Sequence, residues 1–379
     1  MVGFHPDRYF THCPRNTDME LMKNGLSEPA LIRIAQAFEQ IMPNFERQVF
    51  LAQARDGLED LELKERVAHL IEVLSHHLPS SFTETAKILK QVPKVWDHGD
   101  SNDPLRWFAA WPVTDYVAVY GLGAPKLALE TLKHLTCLFS AEFAIRPFIL
   151  QHPEMCQDLF RQWVSHKDEH VRRLVSEGTR PRLPWGMQLK PYMKDPSVNL
   201  PLLDQLKNDS SLYVRRSVAN HLNDVAKDNP DTVIEVCEDW YPDASEDLRW
   251  VIRHATRTLV KAGHPRVFPL LGYSRNVRVE AIEIQLAKPV VVLGEALEFN
   301  FEIRSAVKTK QKMVVDFAVH FVKANGKQQA KVFKLKSLEL KGFETQALSK
   351  SHPIKAITTR RYYPGVQKLE VLVNGVVML

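Results

Sequence analysis

Two stretches decide the fold: EHVRRLVSEGTRPRLPW at residues 169–185 and LYVRRSVANHLND at residues 212–224. Each contains a Val-Arg-Arg triplet, Val171-Arg172-Arg173 and Val214-Arg215-Arg216, and the two lie 43 residues apart. That spacing falls within the range of armadillo and HEAT-type helical repeats. In such repeats a helix pair cannot bury its apolar face alone and stacks on its neighbours into a curved solenoid. Superposing the copies shows where they differ. Six residues past the valine stands Glu177 in one copy and Asn220 in the other. A repeat scaffold needs no lone acid there, so Glu177 is where chemistry is sought.

The same helical texture extends outward. Leu31, Ile34, Ala35 and Phe38 recur at helical spacing, as do Val67, Leu70, Ile71 and Leu74. Residues 92–112, with Trp96, Trp107 and Trp111 among prolines and glycines, read as irregular and aromatic-packed. A helix is expected over Pro125–Ser140, and a stripe of Met155, Leu159 and Trp163 marks another. Later pairs are predicted at Pro201–Leu206 with Leu212–Ala226, and at Thr232–Trp240 with Glu246–Lys261, where Leu248-Arg249 takes the Val-Arg position. After Tyr273 the pattern alternates apolar and polar at Val277–Leu286, Ala296–Ser305 and Met313–Lys323. Ala324-Asn325-Gly326 signals a hairpin, and Val366–Leu379 reads as a closing strand interrupted at Asn374-Gly375. The expectation is an all-α HEAT-like-repeat solenoid over 1–274, then an all-β immunoglobulin-like sandwich over 275–379.

A chain of 379 residues, 45% hydrophobic and 25% charged, is expected to fold into two or more domains. No apolar run approaches the ~18 residues of a membrane span. The opening MVGFHPDRYF lacks a charged-then-apolar leader pattern. Cys13, Cys137, Cys156 and Cys237 are scattered, which points to a reducing cytoplasm rather than a disulfide framework. The net charge of +5 conceals a split: 18 basic against 9 acidic residues from Arg275 onward, and 32 against 36 before it. A separately basic module suits an anionic partner such as nucleic acid, or else serves solubility.

On helix geometry Arg173 and Glu177 share a face, as do Arg216, Asn220 and Asp224. Stacking would place Arg173 over Arg216 and Glu177 over Asn220, with Arg249, Arg253 and Arg257 extending a basic track that matches phosphate spacing. An acid there repels phosphate but would stabilise a cation; its plainer reading is a solvated i, i+4 pair with Arg173. Glu142 and Arg146 repeat that arrangement one unit earlier, before Pro147, which is expected to end their helix. Trp185 sits in a loop with Arg180 and Arg182, either as a packed lid or as an aromatic platform for nucleic acid. GxxxxGK[ST] and GxSxG motifs are absent, and the Gly121–Gly123 pair lacks a dinucleotide fingerprint. His76-His77 and His166/His170 have no completing metal ligands in sequence.

The segments FSAEFAIRPF (139–148), SEGTRPRLPW (176–185) and VRRSVANHLND (214–224) resemble the AlkC branch of the AlkC/AlkD family of HEAT-like-repeat alkylpurine DNA glycosylases. LKER at 63–66, YVAVYGL at 116–122 and YYPG at 362–365 add to the likeness, which spans most of residues 55–275. The resemblance implies a cofactor-free, metal-free monofunctional glycosylase, a cytoplasmic monomer acting on double-stranded DNA. It would remove cationic lesions such as N3-methyladenine and N3-methylcytosine without full base flipping. It further implies catalytic roles for Glu142, Glu177 and Asp224, and DNA contacts from Arg173 and Trp185; the neighbouring cations Arg146, Arg180, Arg182 and Arg216 are expected to add DNA contacts by their place in the sequence. A noncatalytic DNA- or protein-binding scaffold is the alternative; it has no use for Glu177.

Overall fold

The computed structural model describes residues 22–281, 283–357 and 360–378. Cys13 and the segment read for a leader lie outside the described residues. The chain divides into two compact units at Asp228/Asn229.

In the first unit, α1 (Glu28–Ile41), α2 (Arg47–Arg55), α3 (Leu63–His77) and α4 (Phe82–Leu89) follow the apolar spacing. A capping box closes the start of α3: Glu62 and Glu65 side chains each accept from the other residue's backbone N–H. Residues 92–110 are irregular, with short turns at α5 (Val92–Val95) and Arg106–Ala110. At Trp111 they give way to a helix that spacing did not announce, α6 (Trp111–Tyr120). Pro112 stands in its first turn, where a missing N–H costs nothing. The helix expected over Pro125–Ser140 is shorter, α7 (Pro125–Leu135), and residues 136–145 form successive turns. Pro147 opens the next helix, α8 (Arg146–Gln151), rather than ending one. Its fixed φ suits a first turn, so Glu142 and Arg146 are not one helical turn apart on a shared face.

The repeats are clearest next. α9 (Pro153–Trp163) pairs with α10 (Glu169–Gly178), and α12 (Leu200–Leu206) with α13 (Leu212–Val225); α11 (Lys190–Lys194) lies in the connection. On α9 the buried stripe is Cys156, Phe160 and Trp163: Trp163 is as expected, while Cys156 and Phe160 replace Met155 and Leu159, which are half-buried. Successive α10 and α13 pack side by side. Their facing residues Val171, Leu174, Val214, Val218 and Leu222 are at most 1% exposed. Each such side chain stabilises the stack by ~1.5–3 kcal/mol.

The first arginine of each triplet is a loop clamp. Arg172 donates to the carbonyls of His166 and Lys167, and Arg215 to those of Asp209 and Ser210. Arg172 also grips the Asp209 carboxylate of the following repeat with Nε at 2.6 Å and Nη2 at 2.9 Å. The second arginine is left for other work.

The second unit begins with α14 (Pro230–Trp240), α15 (Glu246–Ala255), α16 (Arg257–Lys261) and α17 (Val267–Leu270). The single helix expected over Glu246–Lys261 breaks at Thr256, whose hydroxyl donates to the Ile252 carbonyl. Arg249 donates to the Ala244 carbonyl, repeating the clamp, and lies over the Tyr241 ring.

Two antiparallel four-stranded sheets follow. In one, β3 (Ala296–Ser305) pairs with β6 (Thr345–Pro353) along one side and with β1 (Val279–Ala281) and β2 (Gln285–Leu286) along the other. The second has the order β5 (Gln328–Leu340), β4 (Gln311–Val322), β7 (Lys368–Val373), β8 (Val376–Val377). Phe299, Phe301, Met313, Phe317, Leu340 and Val371 fill the space between them. Asn374 and Gly375 both take positive φ, 46° and 77°, in the turn that joins β7 to β8. Among the described residues no helix is long and apolar enough to cross a membrane.

Candidate active site

Glu177 stands in the last turn of α10, and Gly178, which ends it, has no Cβ for a reason. A Cβ there would meet Ile145 Cγ2 at 2.8 Å. Glycine thus lets residues 136–145, which carry Glu142, press against the end of α10.

Around Glu177 the side chains alternate in charge. Arg180 Nη1 donates to Glu177 Oε1 at 2.5 Å, and Ser217 Oγ donates to Oε2 at 2.6 Å. Arg173 Nη2 stands 3.5 Å from Oε1. Arg173 Nη1 also donates to Glu142 Oε2 at 2.8 Å and to Ser140 Oγ at 2.6 Å, and its guanidinium lies 4.5 Å from the centre of the Tyr213 ring. On the other flank Arg180 Nε donates to Asp224 Oδ2 at 2.8 Å, and Lys227 Nζ to Oδ1 at 2.8 Å. The sequence Glu142–Arg173–Glu177–Arg180–Asp224–Lys227 is therefore one continuous ionic chain. Three carboxylates are balanced by two guanidiniums and Lys227, so the chain is neutral as a whole, with Glu142 the acid at its open end and Glu177 held between two guanidiniums.

Burial on its own would raise the Glu177 carboxyl, but Arg180, Arg173 and the Ser217 hydroxyl outweigh it and hold it well below the usual carboxylate range. Both guanidiniums rise above their ordinary value: burial opposes this, but Tyr213, Glu142 and Glu177 overcome it at Arg173, and Glu177 and Asp224 at Arg180. Glu177 is thus a fixed charge near neutrality, unsuited to donate a proton and suited to stabilise a cation. Access is graded. Glu142 exposes 14% of its side chain, against 5% for Glu177 and 2% for Asp224.

The structure draws Glu142, Arg173, Glu177, Arg180 and Asp224 together, and Arg146, Arg173, Arg180 and Arg182 each hold partners within the protein. Arg173 and Arg180 bridge acids. Arg182 is bound twice to Asp228, both contacts at 2.6 Å. Arg146, expected on the surface, is 0% exposed: its guanidinium donates to the carbonyls of Met187, Gly178 and Arg180. Burial lowers its pKa to about 10 against the pull of Glu142. Arg146 thus staples the loop after α10. Arg216 is half-buried on α13.

At the tip of that loop Trp185 is 39% exposed and holds φ at 63°, a left-handed conformation that costs a non-glycine residue ~1–3 kcal/mol. Lys64 Nζ fixes its carbonyl at 2.6 Å.

Sequence reasoning missed Ser217, Tyr213 and Lys64. A signal existed for Ser217: one repeat earlier its position is Leu174, so a hydroxyl replaces an aliphatic side chain on the buried stripe. Tyr213 likewise matches His170, and the two rings meet edge-on at 5.7 Å.

Beneath the ionic chain lies His221, 0% exposed, with Nδ1 2.9 Å from the Ser176 carbonyl. Burial lowers its pKa to about 4. An unfolded histidine titrates near 6.5, so between pH 6.5 and 4 the unfolded chain binds the extra proton and stability falls with pH, by ~3 kcal/mol at this residue. His221→Gln should flatten that fall, measured as the difference in urea midpoint between pH 7.5 and pH 4.5. An identical fall in both proteins would remove His221 as its source.

The C-terminal sandwich matches a family model over residues 280–379, described as "Uncharacterised protein YhaZ, C-terminal Ig-like domain". Over 355 residues the chain is 36% identical to the uncharacterized protein YhaZ of Bacillus subtilis (strain 168), covering 93% of this chain and 96% of that protein. The structure of Pseudomonas fluorescens alkylpurine DNA glycosylase AlkC bound to DNA containing an abasic site analog is similar with a TM-score of 0.87 and 37% identity. That match covers 94% of this chain and 97% of AlkC. With agreement over nearly the full length of both relatives, helical repeats and sandwich alike, the chain belongs to the AlkC branch of the AlkC/AlkD family, together with YhaZ.

Proposed function

We propose that this protein is a DNA glycosylase of base excision repair that hydrolyses the N-glycosidic bond of cationic alkylated bases, N3-methyladenine and N3-methylcytosine among them, in duplex DNA. The observation that carries this reading is that Glu142, Glu177 and Asp224 are gathered into one ionic chain through Arg173 and Arg180 in a protein of the AlkC family.

The chemistry follows from charge. In a cationic base the C1′–N bonding pair already has a positive ring to neutralise, so the base leaves without a general acid. The sugar is left as an oxocarbenium-like centre, and ionised carboxylates lower the energy of that developing charge. Water then adds at C1′ and loses a proton to solvent or carboxylate, giving an abasic site. Glu142, the most accessible acid, is assigned to the sugar and the water. Glu177 and Asp224, tied by Arg180, set the field from behind. Since the acids are fixed by Arg173 and Arg180, the lesion must come to them, and the outward Trp185 is assigned to hold the strand there by stacking. A lesion kept largely in the helix stack, without full flipping, suits a site this close to the repeat surface. The basic sandwich is assigned to the DNA backbone.

The test is incubation of purified protein with duplex DNA carrying N3-methyladenine. Release of free base with a matching yield of abasic sites is expected; intact lesions at long times would leave only a scaffold. Trp185→Ala should weaken binding to duplex DNA by ~1–3 kcal/mol, about the stacking worth of one base. Unchanged affinity in a fluorescence-anisotropy titration would show that Trp185 is a packed lid.

A further inference from the structure

Asp115 stands on α6 one helical turn after Trp111, so the two side chains share a face. Trp111 Nε1 donates to Asp115 Oδ2 at 2.8 Å. The other oxygen, Oδ1, is buried with no hydrogen-bond partner. A buried unpartnered carboxylate oxygen costs stability and calls for an explanation. One lies in what Trp111 touches. Its indole stacks on Phe139 at 5.1 Å and 16° and on Phe143 at 5.2 Å and 26°. Those two rings bracket Ser140 and Glu142, the pair that holds Arg173.

We propose that Asp115 is a positioning residue of the site: through the Trp111 indole it sets the turn that carries Glu142, and its charge acts on that turn. The proposal rests on the glycosylase reading above and deepens it. The charged groups that face Asp115 are Glu142 from the turn and Lys64 from α3, and Lys64 in turn holds the Trp185 carbonyl. Asp115 thus lies between the acid arm of the site and its aromatic arm.

Burial raises the Asp115 carboxyl to about 7; the Trp111 hydrogen bond opposes this, Glu142 adds to it and Lys64 counters it. As pH rises through that value Asp115 ionises. It becomes a stronger acceptor for Trp111 and adds a negative charge facing Glu142. The added charge favours a cation at the Glu142 face, so excision speeds up as pH rises. Glu177 and His221 ionise well below this range, and burial holds His170 under its ordinary value.

The experiment compares wild type with Asp115→Asn, which keeps an acceptor for Trp111 but cannot ionise. Wild-type single-turnover excision, corrected for spontaneous base loss, should rise about tenfold between pH 6 and pH 8.5, as expected of one added charge in a partly screened site. Asp115→Asn should stay near the wild-type pH 6 rate throughout. A parallel rise in the variant would overturn the proposal. A second readout needs no activity: the side-chain carboxyl carbon of Glu142 followed by NMR, assigned with Glu142→Gln. It should show an inflection near pH 7 in wild type that vanishes in Asp115→Asn; its absence from wild type overturns the coupling. If wild type releases no base at any pH, the glycosylase reading fails, and this inflection alone decides whether Asp115 sets the turn.

Discussion

Glu177→Gln is expected to fold, to bind duplex DNA with near wild-type affinity, and to lose excision by ~2–4 kcal/mol of transition-state stabilisation, the range for one preorganised electrostatic group. The glutamine keeps an oxygen for the Ser217 hydroxyl but brings no charge to Arg180 and Arg173. What is removed is therefore the charge, with little change of shape. Glu142→Gln and Asp224→Asn should slow the same step. Because all three act on one developing charge, the losses in double variants should fall short of their sums. Single-turnover rates for Glu177→Gln within about twofold of wild type, set against the 10²–10³-fold loss typical of such groups, would return Glu177 to the role of a structural ion-pair partner.

Arg180→Met should have the largest effect on stability, ~3–5 kcal/mol, the range for breaking a buried ion pair by removing one partner. The substitution leaves Glu177 and Asp224 without the guanidinium that joins them. Urea unfolding measures it directly. The sign of the coupling gives the sharper check: adding Asp224→Asn to Arg180→Met should recover part of the loss, since the second change removes a stranded charge. If the two losses simply add, Arg180 does not hold the acids together.

The repeat was legible because it rests on periodic burial. Val214, Val218, Leu222 and Val225 announce α13, and all four are buried, in agreement with their spacing. Glu177 could be picked out because a repeat provides its own control: it stands where the other copy has Asn220. The turn that carries Glu142 was misread, since proline is compatible with both the end of a helix and the first turn of the next; only the partners of Arg146 decide which. α6 was missed because Trp111, Val113, Tyr116 and Val117 are buried beside Pro112 and Thr114, so little polar contrast marks a helical period. β5 escaped for another reason. Its exposed lysines Lys331, Lys334 and Lys336 do not keep strict alternation, because the register shifts between Val315 and Asp316 of its partner strand. No local pattern could reveal Asp115, whose significance depends on a stack between α6 and a turn about 30 residues further along the chain.

The clamp made by Arg172, Arg215 and Arg249 has a consequence for how such a protein can change. In each triplet or its equivalent one residue is committed to closing a loop, and its partners are main-chain carbonyls that no substitution can remove. At the neighbouring position of the first copy, Arg173 instead meets two acids. Architecture and chemistry thus occupy adjacent letters of the same word. Mutation can rewrite the second letter, repeat by repeat, while the first keeps the scaffold legible to folding. A stack built this way is able to diversify its substrates without having to reinvent its shape.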